Sequence, residues 1–345
     1  MTALVYGLDR ARLAWLRLLG PLATPFVRSR ELRAAVALTL SITAALVLTA
    51  LAPLELLALG PIVLGVPHLA SDVRYLVVRP GLHRRPAFWL AVGVPLLALA
   101  LTARSAYGLL AVLGAALALP ARWTWRRVLV AGAAGGLAFA SFLVPHVLSP
   151  VIAQVHNLVA VAFFVAWPRL VGRTRAQRWH LAPLALFVLA TLAIFAGALD
   201  PVARTVGAIE TSEGLGTPLG VHLATLSPAW LDAGPTVALR FVLFFAFAQS
   251  VHYGVWLRTV PEEDRARPTP RTFRASIEAM REDGSLWPVA LAGVLTLALM
   301  AWAALDLYGA RFGYLRGALF HGYLELAVAA ALIAAPRARL DALAG

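Results

Sequence analysis

Four of the eight histidines in this chain fall inside apolar runs, and two of them carry a carboxylate four residues on. In GVPHLASDVRYLVV, residues 65–78, His68 is followed by Asp72; in FHGYLE, residues 320–325, His321 is followed by Glu325. A spacing of four puts both side chains on one side of a helix. His252 has Gln249 three residues before it, and His156 stands beside Asn157 with Gln154 just upstream. Neutral imidazoles and carboxylates are ligands for a divalent transition metal, and nearby amides are the residues that orient such ligands. A lone carboxylate at the centre of a membrane helix costs at least ~2.5 kcal/mol, so these residues need partners. The set therefore reads as a buried metal site, with His68, His156, His252 and His321 as ligands and Asp72 and Glu325 as catalytic carboxylates that either ligate or hold imidazole tautomers. Two other readings use the same histidines. They are bonds across helix interfaces that pack the bundle, and axial ligation of b-type haem, which leaves the carboxylates without a role.

The elements that must position them are membrane helices. The chain has 345 residues, 61% of them hydrophobic and 14% charged, against roughly 25% charged in soluble domains. The net charge of +13 comes from 30 basic residues that are all arginine and lie in clusters between apolar runs, which is the pattern of a membrane topology signal and not of a nucleic-acid surface. There is no cysteine, which excludes disulfides, iron–sulfur clusters, thiolate-bound metal and covalently attached haem.

At about 20 residues per crossing, the pattern predicts ten transmembrane helices in an all-α polytopic bundle, over residues 32–52, 55–78, 87–103, 105–120, 126–145, 148–168, 181–199, 236–258, 286–307 and 314–335. Residues 1–31 form an interfacial amphipathic segment carrying Arg10, Arg12 and Arg17, without the features of a cleaved signal peptide. Arginines mark the ends of alternate spans, as at Arg79 to Arg85, Arg122 to Arg127, Arg169 to Arg178 and the loop 259–285, with Arg337 and Arg339 in the tail 336–345. By the positive-inside rule both termini are cytoplasmic, 259–285 is an inner loop and 200–235 an outer one. Within the inner loop Phe273, Ile277 and Met280 recur at helical spacing, as on a helix lying at the membrane surface. Gly132 and Gly136 have the spacing that permits close helix contact.

On this topology the four histidine-bearing spans run in one direction. Counting 1.5 Å per residue, His68 lies roughly 16 Å from Arg79, His156 roughly 20 Å from Arg169, His252 roughly 9 Å from Arg258 and Glu325 roughly 16 Å from Pro336, a single layer from the midplane to the inner third. His83, His146, His180 and His222 fall in loops or at span ends, where a solvated or headgroup-facing role is expected. No His-Glu-x-x-His and no desaturase-type histidine box is present, so neither of those chemistries is indicated.

GVPHLASD at 65–72 resembles the Gly-x-Pro-His-x-x-x-Asp motif of the Brp/Blh family, bacterial membrane proteins that cleave β-carotene to retinal with histidine-bound non-haem iron. The resemblance extends to an all-helical polytopic chain with a histidine helix two-thirds along, here FAQSVHYGVW around His252, and another near the C-terminus, here His321. The chain departs from the family at the later helix, where Ala248 and Trp256 stand four residues either side of His252. The resemblance implies non-haem Fe2+, an oxygenase reaction on a lipid-soluble polyene such as a carotenoid, and a place in the bacterial inner membrane. Its expected partners are membrane lipids and that substrate. The aromatics of the eighth span, Phe241, Phe244, Phe245, Phe247, Tyr253 and Trp256, are candidates for an apolar substrate tunnel, although such residues more often serve core or lipid-facing packing. A transporter or assembly protein with a buried polar network is the rival from another class.

Overall fold

Twelve helices carry the architecture of the computed structural model, which describes residues 2–118, 123–175, 178–205, 222, 225–227, 234–265 and 267–334. An amphipathic helix α1 (Thr2–Leu18) precedes α2 (Arg30–Leu51), α3 (Pro53–Val78), α4 (Pro86–Thr102), α5 (Ser105–Ala118), α6 (Trp125–Leu143), α7 (Pro145–Leu170) and α8 (Leu181–Phe195). The chain then forms α9 (Thr236–Glu263), the surface helix α10 (Phe273–Glu282), α11 (Leu286–Leu305) and α12 (Leu307–Ala334). No strand occurs among the described residues. Seven of these helices, α2, α3, α6, α7, α9, α11 and α12, are long and apolar enough to cross a membrane. The other three apolar helices, α4, α5 and α8, have 10–17 residues and reach less than the roughly 30 Å of a hydrocarbon core. All ten stand where the apolar runs predict them, with three ends shifted by several residues: α8 stops at Phe195 and not 199, α9 runs on to Glu263 and not 258, and α12 begins at Leu307, seven residues before the expected start. Most of the outer loop and the tail 336–345 lie outside the described residues, as does Arg122.

Long apolar helices carrying proline must re-house the carbonyls that proline leaves without a donor. In α3, α4 and α9 the helix widens into π turns at Pro61–Gly65, Val73–Val78, Trp89–Gly93 and Val255–Thr259, and each of these ends two residues before a proline, at Pro67, Pro80, Pro95 and Pro261. Widening relieves the clash of the ring with the preceding turn. The amide of Val260 accordingly bonds to the Val255 carbonyl, five residues back, and the next carbonyl in that register, Trp256, faces Pro261 and has no amide partner. Ser71 of α3 donates its hydroxyl to it at 2.6 Å. Pro61 likewise frees the Leu57 carbonyl, which accepts from Arg311 Nε of α12 at 2.8 Å, and Pro168 frees the Phe164 carbonyl, which accepts from Arg175 at 2.6 Å. Proline thus turns backbone groups into links between helices.

The arginine-rich segments gather at one end of the bundle. Three successive acids at the end of α9, Glu262 and Glu263 buried and Asp264 half-buried just beyond it, hold it together. Glu262 pairs with Arg33, Arg258 and Arg265, Glu263 with Arg175, and Asp264 with Arg79. Arg74 reaches Asp283 at 2.7 Å, and α10 lies against α1, where the Phe273 amide donates to Asp9 at 2.7 Å. The opposite end carries Ser105 against Ser149 and Arg240 against Asp200. Gly132 and Gly136 are exposed on α6 with nothing within 4 Å of where a side chain would start, so among the described residues the close contact expected there is not made.

Candidate metal centre

The four histidine-bearing helices α3, α7, α9 and α12 meet in the interior and bring the four imidazoles into one ring. Ring centres lie 5.3 Å apart for His68 and His252, 5.3 Å for His252 and His156, 5.4 Å for His156 and His321, and 4.8 Å for His321 and His68. His252 and His321 face each other across it at 6.0 Å. The shared depth inferred from residue counting is therefore observed, with no reference to a membrane. Two features of the helices make room. α3 carries His68 and Asp72 on a short α-helical stretch, Val66–Asp72, between two π turns. On α12 a side chain at Gly322 would start 3.1 Å from carbons of the His156 ring, so glycine there lets that imidazole lie against the helix.

Asp72 and Glu325 enter the same cluster. Asp72 Oδ2 lies 3.8 Å from His68 Nε2, and Glu325 Oε1 lies 3.2 Å from His252 Nε2. The two carboxyl groups also face each other. The i, i+4 pairing of His321 with Glu325 read from the sequence is thus redirected: the close partner of Glu325 is His252, on another helix.

His68, Asp72 and Glu325 are fully buried, and His252 is 1% exposed. All eight side-chain nitrogen and oxygen atoms of these four residues are buried without a hydrogen bond. An unmatched buried polar group costs roughly 1–3 kcal/mol, more when charged. Eight in one place, with no arginine among the contacts of the cluster in the described residues, are atoms that a bound cation could satisfy. His156 and His321 differ: their Nδ1 atoms lie 2.7 Å and 2.5 Å from the carbonyls of Ala153 and Ala318. A carbonyl only accepts, so each Nδ1 carries the proton and each Nε2 keeps a lone pair.

The residues fit a metal ion. One ligand atom each from His68, Asp72, His252 and His321 lies within 4.8 Å of the others. Atoms bound to one ion at about 2.1 Å sit up to about 4.2 Å apart, a difference that small side-chain rotations cover. Imidazole nitrogen and carboxylate oxygen without sulfur suit a first-row transition ion. His156 belongs to the imidazole ring and lies outside that tightest group of four.

Comparison with protein-family models, with curated proteins and with solved structures finds no match. The site therefore rests on its own geometry.

Several neighbours differ from expectation. Gln154 and Asn157 do not orient imidazoles: Gln154 donates to the carbonyls of Leu226 and Phe241, and Asn157 to that of Ala153. Of the aromatics that could line a tunnel or simply pack, Phe244, Phe245, Phe247 and Trp256 are packed in the core. Phe247 stacks on Phe187 at 5.4 Å, and Trp256 lies against Phe163 and Trp167 at 5.5 and 6.1 Å. Tyr253 is the exception, with its ring 4.7 Å from that of His68. His222, expected to be solvated, is 2% exposed and sits near Arg311, and burial followed by that guanidinium lowers its pKa to about 4. Sequence reasoning missed the roles of Ser71, Gly322 and the π turns. Prolines inside apolar runs were the available signal for the last of these.

Proposed function

We propose that the chain is a membrane-embedded, metal-dependent oxidoreductase, a distant relative of the Brp/Blh carotenoid-cleaving proteins, acting on a lipid-soluble polyene in the bacterial inner membrane. The observation that carries it is the convergence of four imidazoles and two carboxylates with eight unmatched buried atoms. His68, His252, His321 and Asp72 would hold the ion, with His156 and Glu325 beside them, and bound ferrous iron would supply the redox chemistry with O2 that none of these side chains can perform. The chain's own contribution is threefold. Two carboxylates balance the charge of one divalent cation inside an apolar interior. The Ala153 and Ala318 carbonyls fix two tautomers, as partners of metal-binding histidines do. Burial of His68, Asp72, His252 and Glu325 keeps water from the centre of a site whose substrate dissolves only in lipid. The haem reading is disfavoured because it leaves Asp72 and Glu325, which lie against the imidazoles, without a role.

The test is expression in cells that accumulate β-carotene, with metal analysis of the purified protein. Stoichiometric iron, bleaching of the cells and an aldehyde product are expected. Iron without bleaching leaves the metal centre and removes the carotenoid assignment. A well-folded protein free of metal after iron supplementation overturns both, and favours a polar network in a transporter or assembly protein.

A further inference from the structure

The arginine-rich end of the bundle holds a second site that owes nothing to the imidazole ring. A cleft of about 540 Å³ opens between the start of α2 and the end of α7, with Arg28, Arg30, Arg173 and Glu263 in its walls. A neighbouring cleft of about 430 Å³ shares Pro168, Arg173 and Thr174 with it and runs along α7 to Val165. Together the walls carry five arginines and two glutamates, an excess of three positive charges. Glu263 and Arg175 are already committed to each other, at 3.5 Å. Nη2 of Arg173 is buried and makes no hydrogen bond among the described residues. The far wall is of another kind, since Val165 is 43% exposed on a helix apolar enough to cross a membrane.

A cationic pocket that continues into an apolar, outward-facing wall matches an amphiphile with an anionic head. We propose that this paired cleft binds an anionic phospholipid, its phosphate held by Arg173 and Arg28 and one acyl chain laid along α7 past Val165. Guanidinium suits phosphate because its donors match two oxygens at once. Basic pockets between membrane helices at the cationic end are a recognised form of headgroup site. Burial also pulls Arg173 below its ordinary pKa despite Glu263 and Asp264 nearby, so its charge lacks sufficient compensation from the chain.

The experiment uses the full chain in detergent, exchanged into equimolar phosphatidylglycerol and phosphatidylcholine, with retained lipid read by native mass spectrometry. Wild type is expected to keep the anionic lipid about tenfold in preference, and Arg173→Gln to lower the preference to within about twofold, as the loss of a charge-assisted contact predicts. Arg28→Gln serves as a second variant because Arg28 is exposed and its loss leaves the fold intact. It should lower the preference too, whereas Arg281→Gln, exposed on α10 and outside both clefts, should not. Equal retention by wild type, Arg173→Gln and Arg28→Gln overturns the site. A loss in Arg281→Gln as large as in Arg173→Gln overturns it in favour of diffuse surface attraction. Displacement of the lipid by millimolar inorganic phosphate, with binding independent of the acyl chains, assigns the cleft to a soluble anion and overturns the lipid.

Discussion

Two groups of buried acids in this chain have opposite surroundings. Glu262 and Glu263 at the end of α9 are 1% and 2% exposed, and Asp72 and Glu325 in the interior are 0% exposed. By burial alone the pairs are alike. Glu262 meets three arginines and Glu263 one, whereas the interior pair meets imidazoles, each other and the neutral side chains of Trp256 and the tyrosines, with no arginine in contact among the described residues. Where the chain needs a buried acid for structure it supplies the cation itself. Where it supplies none, the compensating charge comes from elsewhere, and the contrast is what separates a structural ion cluster from a site.

The largest expected effect tests the second half of that contrast. His252→Ala removes a nitrogen from the tightest ligand group and should lower metal content by more than the roughly 10- to 100-fold typical of losing an outer partner. Glu325→Gln should fall within that range. Elemental analysis of protein with unchanged helical circular dichroism checks both. Metal content unaltered in His252→Ala would falsify the assignment of the centre to this cluster.

The same substitution made in the two regions should then act with opposite sign. Glu262→Gln leaves Arg33, Arg258 and Arg265 facing a neutral amide, and removing one partner of a buried ion pair costs roughly 3–5 kcal/mol. Asp72→Asn in metal-free protein removes a group whose charge nothing in the chain offsets, so it should leave stability unchanged or raise it. Unfolding in detergent, followed by circular dichroism, measures both. A destabilisation by Asp72→Asn in the metal-free protein as large as that by Glu262→Gln means that the interior carboxylate is held by the chain after all.

Much of the interior was legible in the sequence because membrane helices state their length in hydropathy and their side-chain register in spacing. His68 with Asp72 needed only the i, i+4 rule, and the common depth of the four histidines needed only the positions of span ends, three marked by arginine and one by Pro336, and the rise per residue. What was not legible was pairing between helices. Nothing in FHGYLE shows that Glu325 turns to His252 and not to His321, because that depends on how α9 and α12 rotate against each other. The Glu262, Glu263 and Asp264 knot was hidden for the same reason: its arginines come from four separate segments. The amides Gln154 and Asn157 misled because adjacency in sequence to a histidine says nothing of which carbonyls lie opposite.

A smaller effect sharpens the account of how proline builds these contacts. Ser71→Ala deletes the one hydroxyl that serves the Trp256 carbonyl, in a register where Pro261 has no amide to give. Leaving such a carbonyl unmatched costs about 1–3 kcal/mol, and the cost should largely vanish in Ser71→Ala with Pro261→Ala, where the restored amide lets the turn revert to α geometry. A double mutant no more stable than Ser71→Ala alone shows that the π turn has another origin.

The effect confined to a narrow pH range belongs to His222, which extends the comparison to the end of the bundle opposite the acid knot. Its imidazole is buried near Arg311, and burial, then that charge, lowers its pKa from 6.5 to about 4. An unfolded chain therefore binds a proton at His222 between those two values while the folded chain does not, and stability rises with pH wherever the unfolded state holds more protons. This contribution is complete above pH 6.5, falls away as the pH drops towards 4, and is constant below that. His222→Gln keeps a polar side chain that cannot titrate, so the variant should lose stability less steeply than wild type between pH 6.5 and 4, by about one proton at most. Thermal melts of both proteins across that range measure the difference, and taking it between the two cancels the other acids that titrate there. Parallel curves would mean that His222 is protonated in the folded protein as readily as in the unfolded one. The imidazole would then be open to water on the arginine-poor side instead of sealed beside Arg311.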